Sequence, residues 1–509
     1  MPSKLRQKKI IADSSKMWFS TIISQLIAFF RGLILPNLLG PHLYGVLGGL
    51  SLIPRYSGYL DLGFLPAMSR EVPLLTGGGK VAQVERVKSA TFLVNLLSVL
   101  FYSLVLLGVA VAFSAHFSTL TIWGIVAFAL IVVFTRLSDF YRSLFNSRGR
   151  FTTVSSLTIL DAAGTFVLVL PLVYLFELYG YYLGMVALAT VLFFVFYLLR
   201  RESVELTFNK PEFWRLLKIG LPMFFWGIGG TILMTLDRFF VIYYFSTTEL
   251  GYYTIAGTVS AFVFLLPVNV SRVLAQNLFL DYGTSRSPEL LQEYITKTTL
   301  VLSVSLASLL ALTTCAYPAV FHIFLPEYLP AVNTTFFLLL SVFVLGVIVS
   351  VANVLIALNR QLNIFFLQLV VIFVTSALCF LAVRWQPGIE GIAASMVLGF
   401  LVYAIMLSLY AFRLISLPPR LVCIFVLEIT LPLLYSLAGL YFIVRFLPTP
   451  DAVGLDSIWL HLLRMVYRLG LMLLLLLPLL WFLERRTGMF KDLWQIFVRR
   501  QRKGGAGDV

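Results

Sequence analysis

The sequence predicts an all-α polytopic membrane protein with about fourteen transmembrane helices. They are expected as two six-helix lobes in a parallel pseudo-two-fold repeat, with a C-terminal helix pair added. Three observations predict this. The chain is 60% hydrophobic and only 12% charged over 509 residues, with a mean hydropathy of +0.95, a balance foreign to water-soluble domains. Its apolar runs reach about 20 residues, enough for a helix to cross ~30 Å of hydrocarbon. Its Lys and Arg residues cluster in alternate loops, which is how helical membrane proteins are oriented.

Residues 1–16 are polar and basic and are expected in the cytoplasm. The run from Met17 to Pro66 reads as two spanning helices joined by a short turn. Pro54 should kink the second of them. Ser69 to Lys88 reads as a polar loop. Its TGGGK segment, Thr76 to Lys80, lacks the GxxxxGK[ST] spacing of a phosphate loop and is read as a turn. Spans at 89–113, 119–144, 152–175 and 180–199 complete an N-terminal lobe, 17–199. A charged linker containing Pro211, 200–216, leads into a second lobe, 217–413. Its spans fall at 217–244, 250–276, 299–325, 334–356, 362–384 and 391–413. The polar residues 281–298 between the second and third of these are expected to form a helix at the inner surface. An extra helix pair occupies 421–483, and a basic tail fills 484–509.

Loop charge tests this count. An inside N-terminus puts about 30 of the 38 Lys and Arg residues on the cytoplasmic side, and a missed span would spoil the alternation. Both termini are therefore expected in the cytoplasm, in a multi-pass protein of the cell's inner membrane. The net charge of +15 is assigned to this orientation and not to nucleic acid, since no soluble recognition module accompanies it.

A weak internal repeat accompanies the count. Arg31 lies fourteen residues before Gly45, and Asp237, beside Arg238, lies fourteen before Gly251. The first and seventh spans thus carry charge at matching depth, with the same parity, which makes the repeat parallel.

Charge inside the spans carries the functional signal. A central arginine costs at least ~2.5 kcal/mol on insertion scales, so such residues face a bundle interior or a wet cavity more often than lipid. Arg31 ends a stripe of Ser20, Ser24 and Ala28 on one helical face. Arg55 follows Pro54. Arg238 shares a face with Thr231 and Thr235, while Asp237 points about 100° away and is expected to brace a neighbour or pair with an arginine. Arg272 follows Pro267 and Asn269. These four arginines form the candidate anion site, with Asp61 and Asp237 as candidate coupling or bracing carboxylates. The competing reading is that each arginine snorkels to the interface. Arg136 and Asp139, at i and i+3, are expected to neutralise each other.

Catalytic constellations are missing from the sequence. There is no HExxH, nucleophile elbow, dinucleotide fingerprint or ATPase module. The four histidines, His42, His116, His322 and His461, are far apart in sequence and are placed near the outer surface. Cys315, Cys379 and Cys423 lie in apolar runs and read as buried apolar residues, not disulfides or metal ligands. The expectation is a transporter, not an enzyme, with no metal and no cofactor. Guanidinium forks suit a diphosphate, donating parallel hydrogen bonds while staying charged. A cell interior that is negative drives an anion outward by ~2.3 kcal/mol per charge per 100 mV, without ATP.

Leu38 to Glu71, LLGPHLYGVLGGLSLIPRYSGYLDLGFLPAMSRE, contains an LG-x-x-x-YG turn, then D-x-G and an R-E step. This stretch resembles the opening of the polysaccharide-biosynthesis (Wzx-like) flippases, in the multidrug/oligosaccharidyl-lipid/polysaccharide exporter superfamily. DRFFVIYYFSTTELGYYTIA, Asp237 to Ala256, is similar to the matching segment of their second half. The resemblance implies two bundles around a cavity that opens alternately to each side. It implies an oligosaccharide on polyprenyl pyrophosphate as substrate, membrane lipids as surroundings, and a polysaccharide polymerase and glycosyltransferases as partners of a monomer. In the related lipid II flippases, arginines of the first, second and eighth helices line the cavity; Arg31, Arg55 and Arg272 stand on corresponding helices, with Arg238 added on the seventh. The alternative within the superfamily is a cation-coupled exporter of drugs or metabolites, for which Asp61, Asp161 and Glu428 would supply acidic groups.

Overall fold

A computed structural model describes the backbone of residues 3–200, 204, 206–385, 387–446 and 457–487. Side chains are described for these residues except 3–19, 22, 272–273, 276–277, 280, 283–285, 457 and 487. The basic tail beyond Thr487, the basic side chains of the N-terminus and the side chain of Arg272 thus lie outside the described residues. The described chain is helical, with no strand among the described residues. Among the described residues twelve helical stretches are long and apolar enough to cross a membrane.

Two of the twelve are double passes, which restores the expected number. Phe151–Leu198 is broken at Phe176 and Glu177, whose backbones leave the helical region. The chain folds back there: a Cβ on Gly184 would lie 3.0 Å from Cα of Val169, fifteen residues earlier, where a straight helix would hold them about 22 Å apart. Ile23–Ser57 is broken at Gly40 (φ 67°, ψ 169°). Glycine tolerates this left-handed φ because it has no Cβ, and Pro41 then suits the start of the next helix. Tyr181 lies within electrostatic reach of both Arg31 and Tyr44, residues on opposite sides of that break.

We number the helices α1 (Ser3–Leu50), α2 (Leu52–Ser57), α3 (Phe64–Gly77), α4 (Val81–Ala112), α5 (Thr119–Ser147), α6 (Phe151–Gly164), α7 (Leu170–Leu198), α8 (Lys210–Leu233), α9 (Leu236–Tyr244) and α10 (Thr247–Ser285). The series continues with α11 (Pro288–Phe324), α12 (Val332–Val347), α13 (Val349–Ala357), α14 (Gln361–Trp385), α15 (Ile389–Leu414), α16 (Pro419–Phe446) and α17 (Ser457–Thr487). Contacts divide the chain into two compact units, Met1–Ile255 and Ala256–Val509.

In the first unit, α3, α4, α5, α7 and α8 share a core built on Phe64, Met68, Val72, Val87, Phe140, Tyr141, Phe196 and Leu216. α3 corrects the expected polar loop after Ser69. The segment is a helix that buries Phe64, Ala67, Met68, Val72 and Leu75, an i, i+3/i+4 stripe that outweighs the local polarity and also takes in the buried Glu71. Glu71 on that helix pairs with Arg215 of α8, which also holds Glu212. The turn expected around TGGGK is present: α3 ends at Gly77, Gly79 has φ 70°, and α4 begins at Val81.

In the second unit α11 is central, packing against α12, α13, α16 and α17. The surface helix expected at 281–298 is not separate. α10 runs to Ser285 and α11 starts at Pro288, so the polar stretch prolongs two spanning helices. Ser287 Oγ accepts the Leu290 N–H at 3.4 Å, Pro288 occupies the first turn, and Leu291 and Ile295 are buried. A cap, a proline in place and an apolar stripe suffice to continue the helix.

Candidate functional site: an arginine cluster on α2 and α9

The first unit brings two of the predicted arginines together. Pro54 cannot donate a hydrogen bond to Leu50, and the helix breaks one turn earlier than the expected kink, at Ser51, leaving Arg55 on the short α2. The seventh span breaks too: α8 ends at Leu233 and α9 restarts at Leu236. Thr235 accounts for the interruption. Its hydroxyl donates back to the Thr231 carbonyl at 2.8 Å, a bond that bends helices, and contacts the Tyr56 hydroxyl at 2.7 Å.

These two broken helices face each other through paired hydroxyls. Tyr59 meets Thr231 at 2.6 Å, Tyr56 meets Thr235, and Arg238 Nη1 donates to Ser51 Oγ at 3.4 Å. Thr231, Thr235 and Arg238 therefore do share a face. Asp237 points elsewhere, as its helical angle requires. Its carboxylate accepts from the Tyr253 hydroxyl of α10 at 2.7 Å and from the Arg238 N–H at 2.8 Å. Arg55 is within electrostatic reach of both Arg238 and Asp237. It is set deep among protein atoms and yet stays accessible, the combination that a recess gives. Among the described residues Arg55 makes no ion pair or hydrogen bond. Two guanidiniums thus share one carboxylate, and that carboxylate is already held by a tyrosine. Two guanidiniums against one carboxylate leave net positive charge, so the arrangement favours an arriving anion.

Arg31 belongs to a different neighbourhood. Asp161 of α6 interacts electrostatically with Arg142 and with Arg31, and Asp139 interacts with Arg136 and Arg142. Asp61 is buried, accepts the Leu65 N–H at 2.7 Å and pairs with Arg136 at 3.4 Å. The expected Arg136–Asp139 pair is present at 3.5 Å. Asp61, Arg136, Asp139, Arg142, Asp161 and Arg31 form an alternating ladder of charge, with α5 supplying its middle three members. Sequence analysis picked out only the Arg136–Asp139 step; the Asp139–Arg142 step lies on the same helix, and the rungs to Asp61, Asp161 and Arg31 cross between helices. The hydroxyl partners Ser51, Tyr56 and Tyr59 were also missed; the signal was that Ser51, Arg55 and Tyr59 stand at i, i+4 and i+8, with Tyr56 next to Arg55 in the chain.

A family model described as polysaccharide biosynthesis protein matches residues 80–332. No curated protein matches the chain in sequence. Among solved structures, the chain is similar to "Lipid II flippase MurJ, inward closed conformation", with TM-score 0.68 and 17% identity, covering 92% of this chain and 99% of that one. It is also similar to an inward-facing multidrug resistance MATE family transporter of the MOP superfamily, with TM-score 0.66 and 14% identity, covering 77% of this chain and 94% of that one. A third similarity is to a MOP superfamily transporter from Pyrococcus furiosus described as having a binding pocket of reverse polarity, with TM-score 0.59 and 14% identity, covering 80% of this chain and 96% of that one.

Proposed function

We propose, from the match of residues 80–332 to a family model described as polysaccharide biosynthesis protein, that the protein is a flippase for lipid-linked oligosaccharide. It carries a glycan on polyprenyl pyrophosphate from the inner to the outer leaflet of the cytoplasmic membrane, by alternating access of two six-helix lobes (17–199 and 217–413). The observation that carries this reading is the accessible guanidinium of Arg55, which has no ion pair among the described residues, within electrostatic reach of Arg238. A diphosphate supplies the missing negative charge and enough oxygens for both planar forks. Arg31 and Arg272 extend the site on sequence grounds. The family match and the fold shared with a lipid II flippase support a flippase over a drug exporter. Two of the acids an exporter would use are matched by arginines: Asp61 pairs with Arg136, and Asp161 lies within electrostatic reach of Arg142 and Arg31.

Asp61 and Asp237 act as braces that hold helices in place, and a coupling role for either would have to break these contacts. Both termini lie in the cytoplasm. The partners are a polysaccharide polymerase and glycosyltransferases that consume and supply the substrate, and the chain works as a monomer.

Reconstitution tests the reading. Vesicles holding the protein and a fluorescent polyprenyl-pyrophosphate oligosaccharide should show protein-dependent change of leaflet, faster with the interior negative. Equal rates in empty vesicles would remove the proposal. Topology is tested in intact cells. A thiol at the exposed Ser246 should react with an impermeant maleimide from outside, and one at Lys80 only after lysis. The reverse pattern would invert the orientation.

A further inference from the structure

A second cationic site lies in the Ala256–Val509 unit, between α11 and α17. Cys315, Pro318, Ala319 and His322 lie at i, i+3, i+4 and i+7 on α11. His461, Arg464, Met465 and Arg468 repeat the same spacing on α17. The two stripes line one cavity of about 210 Å³. His322 and His461 stack at its mouth, rings 4.5 Å apart and 9° from parallel. Two turns further in, Arg468 is within electrostatic reach of Cys315. The α11 stripe is made of small side chains where the α17 stripe is long, and the difference in bulk leaves the space open. An apolar cluster of Ala311, Cys315, Ile443, Met472 and Leu476 closes it below.

Among the described residues no carboxylate lines this cavity, which holds two guanidiniums and two imidazoles. Arg468 Nε is buried and has no hydrogen-bond partner. Arginine inside a span marks a functional site by default, and this one has an unfilled donor turned away from water. Ligand pockets run from ~300 to 1,000 Å³, so this cavity suits one small headgroup and excludes an oligosaccharide. Beside the stripe, Leu463 and Val466 are exposed, 41% and 62%, on the apolar surface of a membrane-spanning helix.

We propose that the α11–α17 cavity binds the phosphate of a lipid, with His322, His461, Arg464 and Arg468 around the headgroup and the acyl or prenyl chain along Leu463 and Val466. The site is separate from the α2–α9 arginines and does not depend on the transport reading. The phosphate can come from a resident anionic phospholipid or from a polyprenyl diphosphate, and the test distinguishes them.

The full chain in detergent, studied by native mass spectrometry, should retain phosphatidylglycerol or polyprenyl diphosphate at least tenfold more tightly than diacylglycerol, which lacks the phosphate. Arg468→Gln should remove that preference. His322→Gln, at an exposed position, should weaken it several-fold. Preference for phosphatidylglycerol identifies a resident lipid, and preference for the diphosphate identifies a station for the polyprenyl lipid. Retention equal to that of diacylglycerol, or unchanged in His322→Gln, or matched by inorganic phosphate alone, would overturn the proposal.

Discussion

Arg55→Ala is expected to lower flipping at least 100-fold while the amount of folded protein in the membrane stays the same. The two halves of this expectation have one cause. Among the described residues Arg55 makes no ion pair or hydrogen bond, so its removal orphans nothing inside the protein. It would take away two charge-assisted hydrogen bonds to a diphosphate, worth ~1.5–3 kcal/mol each, and each 1.4 kcal/mol is a factor of about ten. Arg55→Lys should fall between, since the ammonium keeps the charge and loses the fork. Arg238→Ala should behave like Arg55→Ala, with a small loss of stability from the Ser51 contact. Arg136→Ala should do the opposite. It leaves the buried Asp61 carboxylate without its partner, a change that costs ~3–5 kcal/mol, so protein level and melting temperature should drop before transport can be read. Flipping rates in reconstituted vesicles, normalised to inserted protein, separate the two classes. Wild-type flipping by Arg55→Ala would remove the α2–α9 cluster from the mechanism. An equal fall in protein level for Arg55→Ala and Arg136→Ala would make Arg55 a structural residue.

The sequence made the spans legible because crossing a bilayer is a demand on every residue in a run. Length, hydropathy and loop charge all report it, and even the two hairpins appear in the chain, as Gly40-Pro41 and as the polar interruption near Glu177. Faces within one helix were legible for the same reason: Thr231, Thr235 and Arg238 share a side through periodicity alone, and Asp237 leaves it. What failed was partnership between helices. Nothing local to Arg31 says that its neighbour is Asp161, and nothing near His322 says that His461 stacks on it, 139 positions later. Those meetings depend on how each helix is rotated about its axis, which packing sets. The α3 region failed differently. Its charges imitate a loop, and only the buried stripe from Phe64 to Leu75 distinguishes a short amphipathic helix from one.

Gly45→Ala and Gly251→Ala are expected to be strongly damaging. A Cβ on Gly45 would lie 1.8 Å from the Thr247 carbonyl oxygen, and one on Gly251 would lie 1.9 Å from the Pro41 carbonyl oxygen. Thr247 precedes Gly251 by four residues and Pro41 precedes Gly45 by four, so each glycine receives the backbone one turn before the other. Such reciprocity is what a two-fold relation between helix ends produces, and these are the two glycines the internal repeat aligned. Backbone oxygens cannot rotate aside, so the helices must separate, at more than the ~1–3 kcal/mol of ordinary overpacking. The neighbouring glycines grade the effect. On Gly48 the obstacle is the Thr254 side chain, 2.1 Å away at Oγ1, and Thr254→Ala should rescue Gly48→Ala in a double-mutant cycle. On Gly49 nothing lies within 3.6 Å, and Gly49→Ala should be neutral. Melting temperatures of the purified variants should therefore fall in the order Gly49→Ala, Gly48→Ala, Gly45→Ala. A Gly45→Ala protein that melts with the wild type would show that these two helix ends do not meet backbone to backbone.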